Sequence, residues 1–332
     1  MRTKQKVLLS FFILILSGAT SFFMGCTKRE VVLEIPPTPD FQIVYSGIVD
    51  RLEFSDDLHG IAIKNNNNVL MTTDGGNTWA SRLLLGAYQV KDVSYESPDT
   101  AYIGIDQNST SLIDIYVTYD GGGTWQNPAS SFLGNYFSLT FYDGLHGFCA
   151  TDGSSGTVWK TNNGTNNWNS VYSGYQYTTV RALDASTLFA RGGSGNLWRS
   201  TNGGYNWSNI LGNGNCNDFV LEKNNLILFS AAQGGIVKRS YDFGQTWENV
   251  LDDASYLNSI DAHESGLVVA GYNGYFVYSE DFGNTWKQGA FANVDMTLYT
   301  FNDFAITGPK TIITCGYISS TNTNFIGKIT LP

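Results

Sequence analysis

Histidine, proline and positive charge are scarce in this chain. Only three histidines occur in 332 residues, and no CxxC, HxH or HExxH spacing joins them or the four cysteines. Neither a metal site nor any other cofactor is therefore expected. Lys and Arg number 19 against 29 Asp and Glu. That balance lacks the basic footprint that nucleic acid requires and disfavours anionic lipid surfaces. Cys26 apart, the cysteines are Cys149, Cys216 and Cys315. They are odd in number and fall in well-separated apolar runs. A disulfide needs Cα atoms about 6 Å apart, so buried free thiols acting as small hydrophobes are expected instead. Beyond the first 26 residues no helical period is found.

What the chain has in quantity is glycine, 36 residues, and aromatic rings, 14% of the sequence. Both concentrate in six copies of one short motif: Thr72–Trp79, Thr118–Trp125, Thr161–Trp168, Ser200–Trp207, Ser240–Trp247 and Ser279–Trp286. The closing residues, Trp79, Trp125, Trp168, Trp207, Trp247 and Trp286, recur about every 40 positions, the period of a stacked or radial array. The pattern Ser/Thr-x-Asp-x-Gly-x-Thr-Trp resembles the Asp-box, or BNR repeat, which is a scaffold element in the families that carry it. Its chemistry supports that role. Asp bonds backbone N–H groups of its own turn, Gly supplies positive φ, and Trp opens the next strand with a large apolar surface. Asp74, Asp120, Asp242 and Asp281 keep the pattern, whereas Asn163 and Asn202 replace Asp in the other two copies. A catalytic carboxylate would not tolerate that exchange, so these Asp and Trp residues are expected to be structural.

Each unit holds three short apolar runs before the motif and one after it, which predicts four antiparallel strands per repeat. The fold class is all-β, a propeller of four-stranded blades. Six motifs suggest six blades, but residues 290–332 form a seventh unit that stops where its motif should come. The missing strand is found at the other end: Val44-Tyr45-Ser46-Gly47 repeats Val171-Tyr172-Ser173-Gly174, with Phe41 in the place of Trp168. A single seven-bladed β-propeller over residues 41–332, closed by its N-terminal strand and acting as a monomer, is expected. Closure removes sheet edges that would otherwise template aggregation.

Residues 1–25 read as a signal peptide: Arg2, Lys4 and Lys6, then the apolar run Val7–Leu16 and small residues. Phe23-Met24-Gly25-Cys26 resembles a bacterial lipobox, which would make Cys26 the lipidated residue; Phe23 stands where Leu is usual. The alternative is an uncleaved membrane span. Residues 26–40 hold Pro36, Pro37 and Pro39 and read as a stiff tether. Either reading puts the propeller outside the cytoplasm, membrane-anchored on the bacterial cell envelope.

Candidate chemistry is sparse. His59 and His146 occupy matching turns, Phe54-x-Asp56-x-x-His59-Gly60 and Phe141-x-Asp143-x-x-His146-Gly147, as turn elements would. This turn, an apolar strand and the Asp-box together resemble the photosystem II stability/assembly factor family across residues 41–332. The resemblance implies a seven-bladed, non-enzymatic propeller that helps assemble membrane complexes. The alternative is a glycoside hydrolase of Asp-box type, sialidase- or xyloglucanase-like, with an acid–base pair drawn from Asp50, Asp92, Glu96 or Asp106; no sialidase arginine motif accompanies them. A third feature is the face opposite the motifs, where Tyr88, Tyr136, Tyr175, Tyr177 and Tyr256 lie among amides. Aromatics with amides suit a glycan or an extended protein segment, and these five are the candidate binding residues for an envelope protein or glycan partner.

Overall fold

Blade 1 shows how sequence becomes structure. Its strands Val49–Phe54, Gly60–Lys64, Asn68–Thr72 and Ala80–Leu83 lie side by side in chain order, each antiparallel to the next. In the two middle strands Ile61, Ala62, Ile63, Val69, Leu70 and Met71 are all buried. Both faces of these strands are covered by neighbouring blades, so they are apolar without alternation. The computed structural model describes residues 38–332 apart from 65–67, 84–88, 107–111, 128–130, 134–136, 152–155, 212–215, 233, 254 and 293. The signal-peptide segment 1–25, Cys26 and the tether up to residue 37 lie outside the described residues.

Seven such four-stranded sheets make up the molecule. Their innermost strands are Val49–Phe54, Gln89–Ser97, Phe137–Phe141, Tyr177–Ala182, Cys216–Glu222, Ser259–Ala262 and Tyr299–Ile306, in blades 1 to 7. Blade 7 takes its fourth strand from the other end of the described chain. Asp40–Ser46 pairs antiparallel with Thr323–Thr330, from Asp40 opposite Thr330 to Ser46 opposite Phe325. The closing strand is therefore the outermost of its blade, and the inner strands of blades 7 and 1 then pack together. Phe41, in the place that Trp holds elsewhere, stacks on Phe291 with ring centroids 4.8 Å apart.

The core is divided among the seams. One apolar cluster fills each junction between blades: Val49, Leu52 and Ala62 with Ile313, Cys315 and Ile326 between blades 1 and 7, and Phe189 and Leu197 with Cys216 and Phe219 between blades 4 and 5. Cys149, Cys216 and Cys315 are free and buried, each in a different seam. Every motif tryptophan is half-buried against the seam with the preceding blade, Trp79 at blade 7 and Trp286 at blade 5 for example.

The repeated turns behave as their sequence dictates. Asp74 accepts from the Thr78 amide at 2.9 Å and from the Thr78 hydroxyl at 2.6 Å. Asp120, Asp242 and Asp281 repeat both bonds with Thr124, Thr246 and Thr285. The Thr72 hydroxyl accepts from the Gly76 amide at 3.1 Å. Gly76 has φ 78°, and a Cβ there would sit 2.8 Å from Ile313 of blade 7, so glycine is required twice over. In blade 3, where Thr165 takes the place of that glycine, the Thr161 hydroxyl donates to the Gly164 carbonyl at 2.6 Å.

Two stability predictions follow from this packing. Phe41→Ala removes a half-buried ring at the closure and should cost about 3 kcal/mol in denaturant unfolding; removal of residues 40–46 should abolish cooperative unfolding. Trp79→Ala should cost a similar amount, about 3 kcal/mol, whereas Asp74→Asn should cost less because Asn163 already accepts from Asn167 in the same geometry. Equal melting of Trp79→Ala and wild type would remove the seam role assigned to the tryptophans.

Candidate functional site

The seven inner strands enclose a central channel of about 1210 Å³. It is acidic, with ten carboxylates among its lining residues against four Lys and Arg. The deeper carboxylates have an architectural occupation. Each inner strand is a sheet edge, and its unpaired amides need acceptors. Asp303 of blade 7 accepts from Leu52 of blade 1 at 3.0 Å, and Glu53 from Tyr95 of blade 2 at 2.8 Å. Asp92 of blade 2 accepts from Leu139 of blade 3 at 2.8 Å. Ser138 serves Val180, Asp218 serves Ile260 and Asp261 serves Ile306 in the same way. Between blades 4 and 5 the polarity reverses: Arg191 donates to the Cys216 carbonyl at 2.7 Å and Arg199 to the Phe243 carbonyl at 2.9 Å.

Arg51 is the cation at the centre of this ring, 2.6 Å from Asp92. Burial opposes its charge, but Asp92 and then Asp303 outweigh burial and raise its pKa. Burial pushes Asp261 up to about 7 and, with the charge of Asp303 beside it, Asp218 up to about 6. Both are half-buried in the channel wall. Outside, on the turns, the opposite holds: the Thr246 hydroxyl and amide hold Asp242 down at about 2.

The four carboxylates considered for acid–base work are not brought together. Asp92 is fully buried and saturated by Arg51 and two amides. Asp106 pairs with Lys91 at 3.3 Å. Asp50 lies at the start of the inner strand of blade 1 and Glu96 near the end of that of blade 2, so they line the channel toward opposite faces. Among the described residues no group of three or more His, Cys, Asp or Glu is placed to hold a metal ion.

The channel opens onto two faces. One carries the links between blades, the other the repeated turns together with the turns after each inner strand. The latter two lie against each other, as the Gly75 amide bonded to the Leu58 carbonyl at 2.9 Å shows. The tyrosines expected to mark the link face are dispersed. Tyr88 and Tyr136 lie outside the described residues. Tyr177 is 3% exposed and packs against Trp207 with centroids 4.7 Å apart, so it is core and not binding surface: the strand begins at this residue and turns the ring into the seam. Tyr175 is half-buried on Tyr177 and Trp198, with its hydroxyl 2.9 Å from the Ser194 hydroxyl. Tyr256 alone of the three described is well exposed, at 44%. The exposed apolar surface is mostly on the other side. Of the ten large apolar side chains left exposed among the described residues, Leu58, Tyr119, Leu145, Tyr205, Leu226 and Tyr241 all belong to the turn face. Leu58 and Leu145 fall at unassigned positions of the Phe-x-Asp-x-x-His-Gly turn, so the sequence pattern does not single them out.

The three histidines are on the turn face too. His59 Nδ1 lies 2.9 Å from Asp56 and His146 Nδ1 2.8 Å from Asp143, matching turns with matching bonds. His263 Nε2 lies 3.1 Å from Asp57, joining blades 6 and 1.

Fold and channel together define a seven-bladed β-propeller with a polar, acid-lined axis. No protein-family model and no curated protein matches the sequence. Among solved structures the chain is similar to YCF48 bound to a D1 peptide, with a TM-score of 0.68 and 17% identity over 89% of this chain and 97% of that one. YCF48 from Cyanidioschyzon merolae gives 0.65 and 18%, over 87% and 98%. A GH74 enzyme from Niastella koreensis gives 0.65 and 16%, over 82% of this chain and 52% of the enzyme. At these identities the likeness is one of fold.

The buried channel acids yield a pH prediction. Asp261 binds a proton more tightly in the folded chain, about 7, than at its ordinary 3.8. Between those values the native state holds more protons than the unfolded one, so its contribution to stability falls as pH rises and is lost above about 7. Asp261→Asn keeps an acceptor for the Ile306 amide without the charge. Its melting temperature relative to wild type should therefore rise from pH 5 to pH 8; a constant difference would show that Asp261 does not titrate in this window.

Proposed function

We propose that this protein is a non-catalytic propeller scaffold, lipid-anchored at Cys26 on the bacterial cell envelope, that binds a protein or glycan partner. The observation that carries the non-catalytic part is the occupation of the deep channel carboxylates: Asp92, Asp218, Asp261, Asp303 and Glu53 each accept a backbone amide from the next blade. An acid or base engaged in this way cannot be spared without opening a seam. The six repeated turns behave as Asp-boxes do, supporting the seam tryptophans. The fold likeness to YCF48, one structure of which holds a peptide, is in keeping with a scaffold. The likeness to the GH74 enzyme covers only 52% of that chain, and an enzyme that closes its cleft with further domains would need what a single ring does not supply.

Two measurements test this reading. The full chain in detergent should show no turnover of sialosides, xyloglucan or other glycans; turnover lost on changing one channel carboxylate would establish a hydrolase. Metabolic labelling with a fatty-acid analogue should mark the wild type and not Cys26→Ser, and an unlabelled wild type would remove the lipid anchor.

A further inference from the structure

The repeated turn of blade 5 carries a side chain that the turn itself does not call for. Its second residue is Tyr241, whose ring is 56% exposed. The same position holds Thr73, Asn162, Thr201 and Glu280 in blades 1, 3, 4 and 6, so no ring is needed there. Tyr241 is also held in place. The Arg239 guanidinium lies against it, 4.9 Å from the ring centroid, a cation–π contact. Arg239 is itself 6% exposed. It is locked by Glu248 at 2.8 Å, by the Asn284 side-chain oxygen at 3.0 Å and by the Phe282 carbonyl of blade 6. An exposed ring on so rigid a support loses little freedom when something stacks on it.

Tyr241 and Arg239 share a cavity of about 300 Å³ with Asp242, Thr246, Trp247 and Glu248. That volume stands at the lower end of small-molecule sites, about 300–1,000 Å³. Both contacts of Glu248 with Arg239 fall on Oε1. The Glu248 side chain is otherwise exposed, so its second oxygen remains an acceptor for hydroxyl groups. Blade 2 shows the combination to be particular. Tyr119 occupies the same place there and is as exposed, but Val117 and Gln126 stand where blade 5 has Arg239 and Glu248.

We infer that this cavity is a binding subsite for one neutral pyranose unit of a glycan, with a C–H face of the sugar stacked on Tyr241 and its hydroxyls donating to Glu248. A pyranose has an apolar face and a rim of hydroxyl donors, which an aromatic platform beside a carboxylate matches. Charge selects among sugars. Asp242 and Glu248 line the cavity, and Arg239, the cation among the lining residues, is engaged by Glu248 and blade 6. Uronic and sialic acids are therefore disfavoured. A stable protein interface needs roughly 800 Å² from each partner, whereas the built feature here is one ring over one small cavity.

The inference deepens the scaffold reading, from which it takes the glycan as partner, and is tested apart from it. Isothermal titration calorimetry on the full chain, in a polyoxyethylene detergent that carries no sugar, would use cellohexaose, laminarihexaose and mannohexaose as neutral probes and hexagalacturonate as the acidic one. At least one neutral probe should bind, and hexagalacturonate about tenfold or more weakly. Tyr241→Ala should weaken the neutral probe about tenfold, and Tyr241→Phe, which keeps the ring, should hold it within about twofold. Glu248→Gln should weaken it several-fold. Tyr119→Ala should leave it unchanged. If Tyr241→Ala lowers the melting temperature, Tyr241→Leu, which covers Arg239 without a π face, reads the same loss. No binding of any neutral probe, preference for hexagalacturonate, full affinity in Tyr241→Ala or an equal loss in Tyr119→Ala would overturn the inference and leave the scaffold reading standing. Turnover of a probe would instead remove the scaffold reading and leave the subsite standing.

Discussion

Every blade of this molecule ends, at the axis, in a strand with one unpaired edge. An edge of that kind in water is satisfied by solvent or recruits another strand; inside a ring it must be satisfied by what the ring provides. Here it is satisfied sideways. A side chain from one inner strand accepts an amide from the next blade, as Asp303 does from Leu52 and Asp261 does from Ile306. The bond holds the seam at its narrow end, where blades taper and little apolar surface can be buried. The apolar clusters hold the wider parts, and the tryptophan of each repeated turn covers the seam behind it.

An acidic channel follows from that constraint before any ligand is considered. Carboxylates are the strongest neutral-pH acceptors of amide protons, and several gathered around one axis raise one another's pKa, as Asp303 does for Asp218. Arg51 among them moderates the repulsion. Perturbed acids in a cavity usually suggest catalysis. In this ring much of the perturbation has a structural origin: Glu53, Asp218, Asp261 and Asp303, all raised by burial, each accept a backbone amide from the next blade. The search for function therefore shifts outward to the rims, where side chains are free of the ring.

The sequence disclosed the architecture because the architecture is periodic. Tryptophans at regular spacing, the Asp and Gly of the turns and the matched Val-Tyr-Ser-Gly segments all repeat, and they mark the blades, the turns and the closing strand. The staples are periodic in position but not in identity. Glu53, Ser94, Thr140 and Asp261 do the same work in four blades, and no single-residue pattern exposes that. Rim residues escape for a different reason. Tyr177 beside a Gly-containing link looked like surface, yet the strand starts at that residue and carries it into the seam. Leu58 and Leu145 fall at unassigned positions of the repeated turn, where the Asp two residues earlier bends the chain into an Asx turn and leaves them facing water.

Backbone strain separates the two kinds of rim residue further. In four of the repeated turns the fourth position is glycine with φ between 64° and 72°. Blades 5 and 6 place Phe243 and Phe282 there, at 58° and 54°. A bulky side chain in that region costs about 1–3 kcal/mol. For both rings the structure shows the compensation: each packs into a seam cluster, and each carbonyl accepts a guanidinium, from Arg199 and Arg239 respectively. Leu226 adopts the same region, at 57°, in the turn after the inner strand of blade 5, and stands exposed without joining a seam cluster.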